Sequence, residues 1–363
     1  MNAHGTTSRR PPAGEQRTET AARRDAATTA ALLLAAIAAG SGGFAHFDWA
    51  LVGYCAATLA ALTALAYQAS LFWRRRPSAF YGRALLRGLR RPQSLRNVLQ
   101  SGARDVGAQR FLFRRGVLRW LAHMCLSWGT LVAFGITVPL VFGWLHFEAA
   151  GASAYRVVFF SIPLLAFDVR GAFAWLVFNA LNLAGVAVFA GALYFLVLRL
   201  RQRHEAGVTS AFHLAPLLIL LVVAATGLAL PLTGGLENRL YFRLAAIAHE
   251  AAVIVMLISL PYGKLIHVFI RPLHLGAQLV RAESVSRAHC QGCRTALGPA
   301  EQLEAVEFLL SARGFRFAGH QRLCPGCRRR GLATAHSQLL DGRFQPALTP
   351  APRAARPPQA RAA

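Results

Sequence analysis

The sequence predicts an all-α, polytopic transmembrane helix bundle of about six helices, with a five-helix core and a small C-terminal four-cysteine metal module. Three observations carry this expectation. Of the 363 residues, 55% are hydrophobic and 15% charged, and the mean hydropathy of +0.39 is too apolar for a soluble domain of this length. The apolar residues collect into six runs that approach the ~20 residues needed to cross a bilayer. Four of the six cysteines form two CxxC pairs near the C-terminus, which is metal-ligand spacing and not an extracellular disulfide framework.

In chain order, residues 1–26 are polar and Arg-rich and are expected to be disordered. Runs near 27–46, 49–72, 117–145, 173–199, 209–232 and 241–270 are expected to be spanning helices. The first is an extra N-terminal helix (27–48), and the others build a membrane domain over 49–272. No cleavage motif follows the first run, so it reads as a retained anchor and not a signal peptide. Pro139 is expected to kink the third helix. The apolar run Val157–Phe167 is too short to span and is expected to lie as a helix on the outer face.

Forty basic residues against fifteen acidic ones give a formal charge of +25. In a soluble chain that balance would suggest nucleic acid. Here the charges fall between apolar runs, so they report topology and the partner is the lipid bilayer. The segment between the second and third helices holds twelve Arg, from Arg74 to Arg115, against Asp105 alone. Arg199, Arg201 and Arg203 follow the fourth helix. Both segments should be cytoplasmic, while the loops holding Glu148, Arg156, Asp168 and Arg170, and Glu237, Arg239 and Arg243, should face out. The expectation is a multi-pass protein of the inner, cytoplasmic membrane with both termini inside. The basic stretch Arg83–Arg115 reads as a solvated inner loop; resting on anionic headgroups is the alternative.

Ionisable residues inside a membrane are costly and usually partnered. His249 and His267 are eighteen residues apart, five whole turns on a continuous helix, which puts them on one face about 27 Å apart in depth. Two imidazoles on one face at two depths suit two stacked haems. Bis-His ligation closes the iron to substrate, so such haems transfer electrons. His123, two turns inside the cytoplasmic end of the third helix, is level with His267. His146 has the depth of the outer site but stands about 140° round the helix from His123. His213 competes for the inner site. For His146 and His213, hydrogen bonding within the bundle is the alternative.

The motifs HMCLSWG at 123–129 and HEAAVIVMLISLPYGKLIHVFIRP at 249–272 resemble the gamma-subunit family of respiratory nitrate reductases. That family is taken broadly, to include the membrane cytochromes of heterodisulfide-reductase-like complexes. The resemblance covers residues 49–272. It implies a five-helix cytochrome with haem b, one or two per chain, that exchanges electrons between membrane quinone and a cytoplasmic iron-sulfur or other redox subunit. It implies His249 and His267 as ligands and His123 as the first ligand of the facing helix. Where the family has a second His about three turns along that helix, this chain has the apolar Leu131–Ile136. Either His146 supplies the outer ligand or only the inner haem is assigned. Nitrate as a substrate is not implied.

Lys264 is the single lysine, a contact for a haem propionate or quinone, or a side chain snorkelling to the inner interface. Glu250 is a partner for a ligand imidazole or a bundle salt bridge. Downstream, Cys290-Gln-Gly-Cys293 and Cys324-Pro-Gly-Cys327 are separated by thirty residues and bound a module at 286–331. Each turn aims two thiolates at one ion, so the pairs complete a tetrahedral site, zinc by default and rubredoxin-like iron as the alternative. Between them EQLEAVEFLLSA should form a helix ending near Gly314, followed by strand-like FRFAGHQRL. His289 and His320 should be bystanders, and residues 332–363 a disordered tail.

The expected function is therefore an electron-transfer subunit of a membrane oxidoreductase complex, not catalytic alone. The alternative is a haem-free transporter or membrane sensor with a cytoplasmic zinc module.

Overall fold

The computed structural model describes residues 13–75, 78–206, 214–235, 239–271, 274–283, 286–315 and 319–340. Two compact units emerge. The first comprises residues 1–75 and 89–275, the second residues 76–88 and 276–363.

The first unit opens with α1 (Ala13–Gly40) and continues through α2 (Val52–Arg74). The helix α3 (Ser78–Arg90) carries the chain on, mostly within the second unit. Then come α4 (Pro92–Ser101), a π-helical turn at Gly102–Gly107, α5 (Arg110–Phe113) and α6 (Val117–Val141). Strands β1 (Leu145–Ala149), β2 (Ala154–Phe159) and β3 (Ile162–Asp168) precede α7 (Ala172–Ala206), α8 (Ala215–Gly234), α9 (Arg239–Ser259) and the short α10 (His267–Ile270).

Among the described residues, five helical segments are long and apolar enough to cross a membrane: Trp49–Arg74, Val117–Val141, Ala172–Arg201, Ala215–Gly234 and Arg239–Ser259. They close a ring in which α2 packs on α6 and α9, α6 on α7, α7 on α8, and α8 on α9. The interior is lined by small and medium residues, among them Ala57 and Ala61 of α2, Ala192 of α7, Ala224 of α8 and Met256 of α9. The exterior carries Leu118, Leu131, Leu176, Val186, Val222 and Val255, all exposed. Apolar side chains facing outward are what a hydrocarbon solvent accommodates.

The expected first span is not among the five. In α1 the apolar stretch covers only residues 26–40, about 22 Å of helix, short of a bilayer core. The helix instead begins at Ala13, so residues 13–26 are ordered as helix and not disordered; residues 1–12 lie outside the described residues. Its polar end is tied to the end of α2. Asp25 accepts from Ser70 and Arg74, both at 2.6 Å, and Glu19 from Arg75 at 3.2 Å. The Ser70 hydroxyl, then Arg74, holds the Asp25 carboxyl below its usual range.

Two further expectations fail for local reasons. Helix α6 stops at Val141, not 145. Gly143 adopts φ +70° while Trp144 N–H donates to Pro139 O and Gly143 N–H to Leu140 O, a Schellman end. The run Val157–Phe167 is not a helix: β2 and β3 form a hairpin whose turn residues Phe160 and Ser161 both have positive φ. Two positive-φ centres are the type I′ geometry that matches strand twist. Without Asn-Gly at the turn, no local signal announces it. Together with β1 they make a three-stranded antiparallel sheet, in the order β1-β2-β3.

The α6–α7 seam depends on small residues, as membrane helix pairs do. A Cβ on Gly191 would stand 2.5 Å from Ala122 O and 3.0 Å from Leu126 N, both backbone, so nothing there can yield. Gly135, on the same α6, has open space. Gly191→Ala is therefore expected to destabilise the folded protein by about 1–3 kcal/mol as overpacking. Gly135→Ala should be neutral or gain up to about 1 kcal/mol of helix propensity. Thermal unfolding of both variants in one detergent is the measurement.

The second unit contains α3 and α11 (His274–Glu283), with Gly276 seated against the Tyr81 backbone and Gly88 against Leu279. It continues with β4 (Arg287–His289), β5 (Ala296–Pro299), α12 (Ala300–Ala312) and α13 (Pro325–Leu340). Helix α12 matches its expectation, ended by Gly314 at φ +80°. The expected strand after it does not form among the described residues: His320–Arg322 is a 3-10 turn. Nor is the tail disordered through 340, because α13 continues from the second CxxC pair; residues 341–363 lie outside the described residues.

Candidate functional site

The histidines come first. Helix α9 ends at Ser259, so residues 241–270 are not one continuous helix. Pro261 cannot donate to the carbonyl four residues back and disfavours helical backbone in Leu260. A 3-10 turn, Lys264–Ile266, leads into α10, which starts at His267. The eighteen-residue phase between His249 and His267 therefore crosses a break, and each ring is positioned by its own surroundings.

His267 Nδ1 lies against the backbone oxygen of Lys264. A carbonyl only accepts, so Nδ1 carries the proton in this contact, and in the neutral ring Nε2 then has a bare lone pair. His249 Nδ1 is 3.1 Å from Thr226 Oγ1 on α8. That hydroxyl also lies 2.8 Å from Val222 O; with its proton on that carbonyl it accepts from His249 Nδ1–H, and the neutral ring then keeps Nε2 bare. Gly227 makes room for the ring, since a Cβ there would stand 3.0 Å from His249 Cε1. An imidazole whose Nδ1–H is fixed by a backbone or hydroxyl oxygen is the usual outer-shell arrangement of a metal-ligating His.

His123, on α6, packs edge-on to Phe195 and has a buried Nδ1 with no hydrogen-bond partner among the described residues. Arg271 and the His267 ring lie within electrostatic range of it. Arg271 also stands 4.4 Å over the Phe111 ring. Glu250 seats its carboxylate against Gly53 of α2. His146 is off the helix, on β1, and its surroundings are described below. His213 lies outside the described residues.

These features fit haem as far as axial donors go: an orphaned imidazole nitrogen at His123, and an Nε2 left for ligation on the neutral rings of His249 and His267.

The four-cysteine module brings its ligands together fully. The β4–β5 hairpin carries the first pair, with Arg294 in the left-handed region at φ +62° closing the turn, and the second pair opens α13. The four sulfurs lie within 4.8 Å of one another, with Cys293 and Cys324 3.6 Å apart. Four Zn–S or Fe–S bonds of ~2.3 Å in a tetrahedron place sulfurs about 3.8 Å apart, so the cage can hold a metal ion with little adjustment. Gly292 is needed for closure, because a Cβ would stand 3.1 Å from Cys327 Sγ.

Backbone N–H groups already point at sulfur. Cys324 N–H donates to Cys290 Sγ at 3.2 Å and lowers that thiol to about 6. The Thr295 hydroxyl, 3.1 Å from Cys293 Sγ, pulls that thiol down too. At Cys327 the Arg330 guanidinium favours the thiolate, but the Cys324 and Cys293 sulfurs outweigh it and push the thiol up to about 11. Four thiolates cannot coexist there without a cation. His289 and His320 are not in the sulfur cluster. Outside the cage Glu307 receives a two-pronged bond from Arg322, both arms at 2.9 Å, which joins α12 to the second knuckle.

One arrangement escaped the sequence reading. His46, in the loop after α1, stacks on His146, with centroids 3.9 Å apart and planes within 10°. Glu148 Oε1 is 3.5 Å from His146 Nε2. The signal available in sequence was His-x-Glu at 146–148, which becomes a shared face only if the segment is a strand.

No protein-family model, curated protein or solved structure matches this chain.

Proposed function

We propose that this chain is a membrane haem b electron-transfer subunit that exchanges electrons between the quinone pool and a cytoplasmic redox partner, such as an iron-sulfur subunit. The observation that carries the proposal is the oxygen that faces Nδ1 of His249 and of His267, an arrangement in which each neutral ring keeps Nε2 as a bare ligand. His123 and His267 would hold the inner haem, and His249 would ligate a second. Bound haem would supply reversible one-electron chemistry at the iron, which the protein tunes through ligation and dielectric. Lys264 and Arg271, near His267, offer cationic partners for propionates or a quinone oxygen. The four-cysteine module would hold structural zinc and shape the surface that meets the soluble partner. The positive-inside charge pattern would place the four-cysteine module, after the last span, in the cytoplasm.

Optical spectra of the purified full chain, oxidised and dithionite-reduced, test the proposal, with pyridine haemochrome analysis giving the stoichiometry. A b-type reduced spectrum with one or two haems per chain is expected. Chain purified from haem-replete cells without a Soret band would refute the proposal and leave the transporter or sensor reading.

A further inference from the structure

The three-residue cluster at the end of α6 is separate from the helix-ring histidines and the sulfur cage. His146 and Glu148 are two residues apart on β1, so the strand period of two puts both side chains on one side of the sheet. His46 comes from a hundred residues earlier and is brought in by a tightly built loop. Its N–H donates to Ser41 O at 3.0 Å, and Ser41 is fully buried. Gly143, the left-handed end of α6, lets the chain approach within van der Waals contact of that loop; a Cβ there would stand 2.9 Å from His46 O. Trp144 Nε1–H donates to Ala36 O at 2.9 Å, fixing the start of β1 against the end of α1.

Among the described residues neither ring nitrogen of His146 has a hydrogen bond, although both are buried. Glu148 stands opposite Arg156 in register, yet among the described residues the carboxylate's ion partner is His146 and not that arginine. Buried polar atoms left unpaired pay their desolvation without return, so native folds seldom keep them without a purpose. One ligand atom from each of the three residues lies within 4.8 Å of the other two. Bonds of ~2.0–2.1 Å in a tetrahedron place N and O donors about 3.4 Å apart, so the His146–Glu148 pair is already spaced for a shared ion. Imidazole lone pairs lie in the ring plane, so the parallel rings must splay to converge; His46, exposed on its loop, is the ring free to turn.

We propose that His46, His146 and Glu148 form a binding site for a divalent transition-metal ion of the zinc type, with one coordination position left open. Two imidazoles and a carboxylate suit zinc and its borderline neighbours over calcium or magnesium, which prefer oxygen throughout. Three protein ligands leave the fourth position to water or an incoming anion. The proposal stands without haem, and it uses His146 as a metal ligand instead of a haem ligand.

Equilibrium dialysis of the full-length, detergent-solubilised chain against zinc, followed by elemental analysis, tests it. The four-cysteine module stays intact in every sample, so differences between samples report this site. Wild type should carry one more zinc per chain than the double variant His46→Ala/His146→Ala. Glu148→Gln keeps the side-chain shape and removes the charge. It should weaken the extra zinc by more than the ~10–100-fold typical of losing an outer-shell partner. Equal zinc in wild type and a folded Glu148→Gln or His46→Gln would overturn the proposal. So would a loss of haem, but not of zinc, on changing His146.

Discussion

Replacing His267 by alanine is expected to remove the inner b-type haem signal while the protein still inserts and folds. The side chain starts α10, beyond the last candidate span, and its ring is exposed with only the Lys264 carbonyl on Nδ1. Little packing is lost on truncation, so stability should change modestly, as at most surface positions. What disappears is the Nε2 proposed to ligate the inner haem opposite His123. A five-coordinate or absent inner haem should follow, read as a loss of about half or all of the reduced b-type absorbance, depending on whether two haems or one are bound. Thr226→Ala supplies the graded control. It frees Nδ1 of His249 without touching the ligand, and outer-shell losses of this kind typically cost ~10–100-fold in affinity. An unaltered haem spectrum in His267→Ala would remove that residue from the ligand set.

Changing Cys324 to serine should empty and unfold the metal module. Its sulfur is the hub of the cage: it lies 3.6 Å from Cys293, its own N–H bonds Cys290, and it accepts from Cys327 N–H at 3.4 Å. Structural zinc sites of this kind contribute apparent binding energies of about 10–16 kcal/mol at neutral pH, more than most small folds possess in total. The module is also small, with a two-stranded hairpin and two helices, so little else would hold it. Loss of one metal equivalent and rapid proteolysis between residues 286 and 340 of the full chain are therefore expected. Cys125→Ser, at an exposed cysteine outside the cage, should show neither. Cys327 is protonated at neutral pH without metal, its thiol being pushed up to about 11. Metal loading must displace that proton, so the affinity should rise with pH, and proton release should accompany zinc binding. Iron in place of zinc, with a visible redox signal, would make the module part of the electron path.

The apolar runs, the CxxC pairs and the α12 helix were legible because each is a property of one segment. A run of ~20 apolar residues favours the hydrocarbon whatever its neighbours do, and a CxxC turn aims two sulfurs by local geometry. The sequence reading failed where a boundary hung on one or two residues. Gly143 ended α6 early, Pro261 interrupted the last helix, and Phe160-Ser161 turned a presumed interfacial helix into a hairpin. The early end of α6 carried His146 off the helix and onto a strand, where a helical wheel could never have placed it correctly.

The sequence by itself marked the five segments that suit a bilayer, together with a sixth that proves too short, and the four cysteines that gather within reach of one ion. Both follow from short-range chemistry, namely hydropathy summed along a helix and thiol spacing in a turn. Only the tertiary structure decided which nitrogen each histidine leaves free, because that depends on an acceptor outside the local pattern: the Thr226 hydroxyl on α8 for His249, and the Lys264 carbonyl beyond a helix break for His267. The same holds for His46 and His146, a hundred residues apart in the chain and stacked at 3.9 Å. Their meeting rests on a buried serine, a left-handed glycine and a tryptophan bond back to α1, long-range contacts that no local pattern encodes.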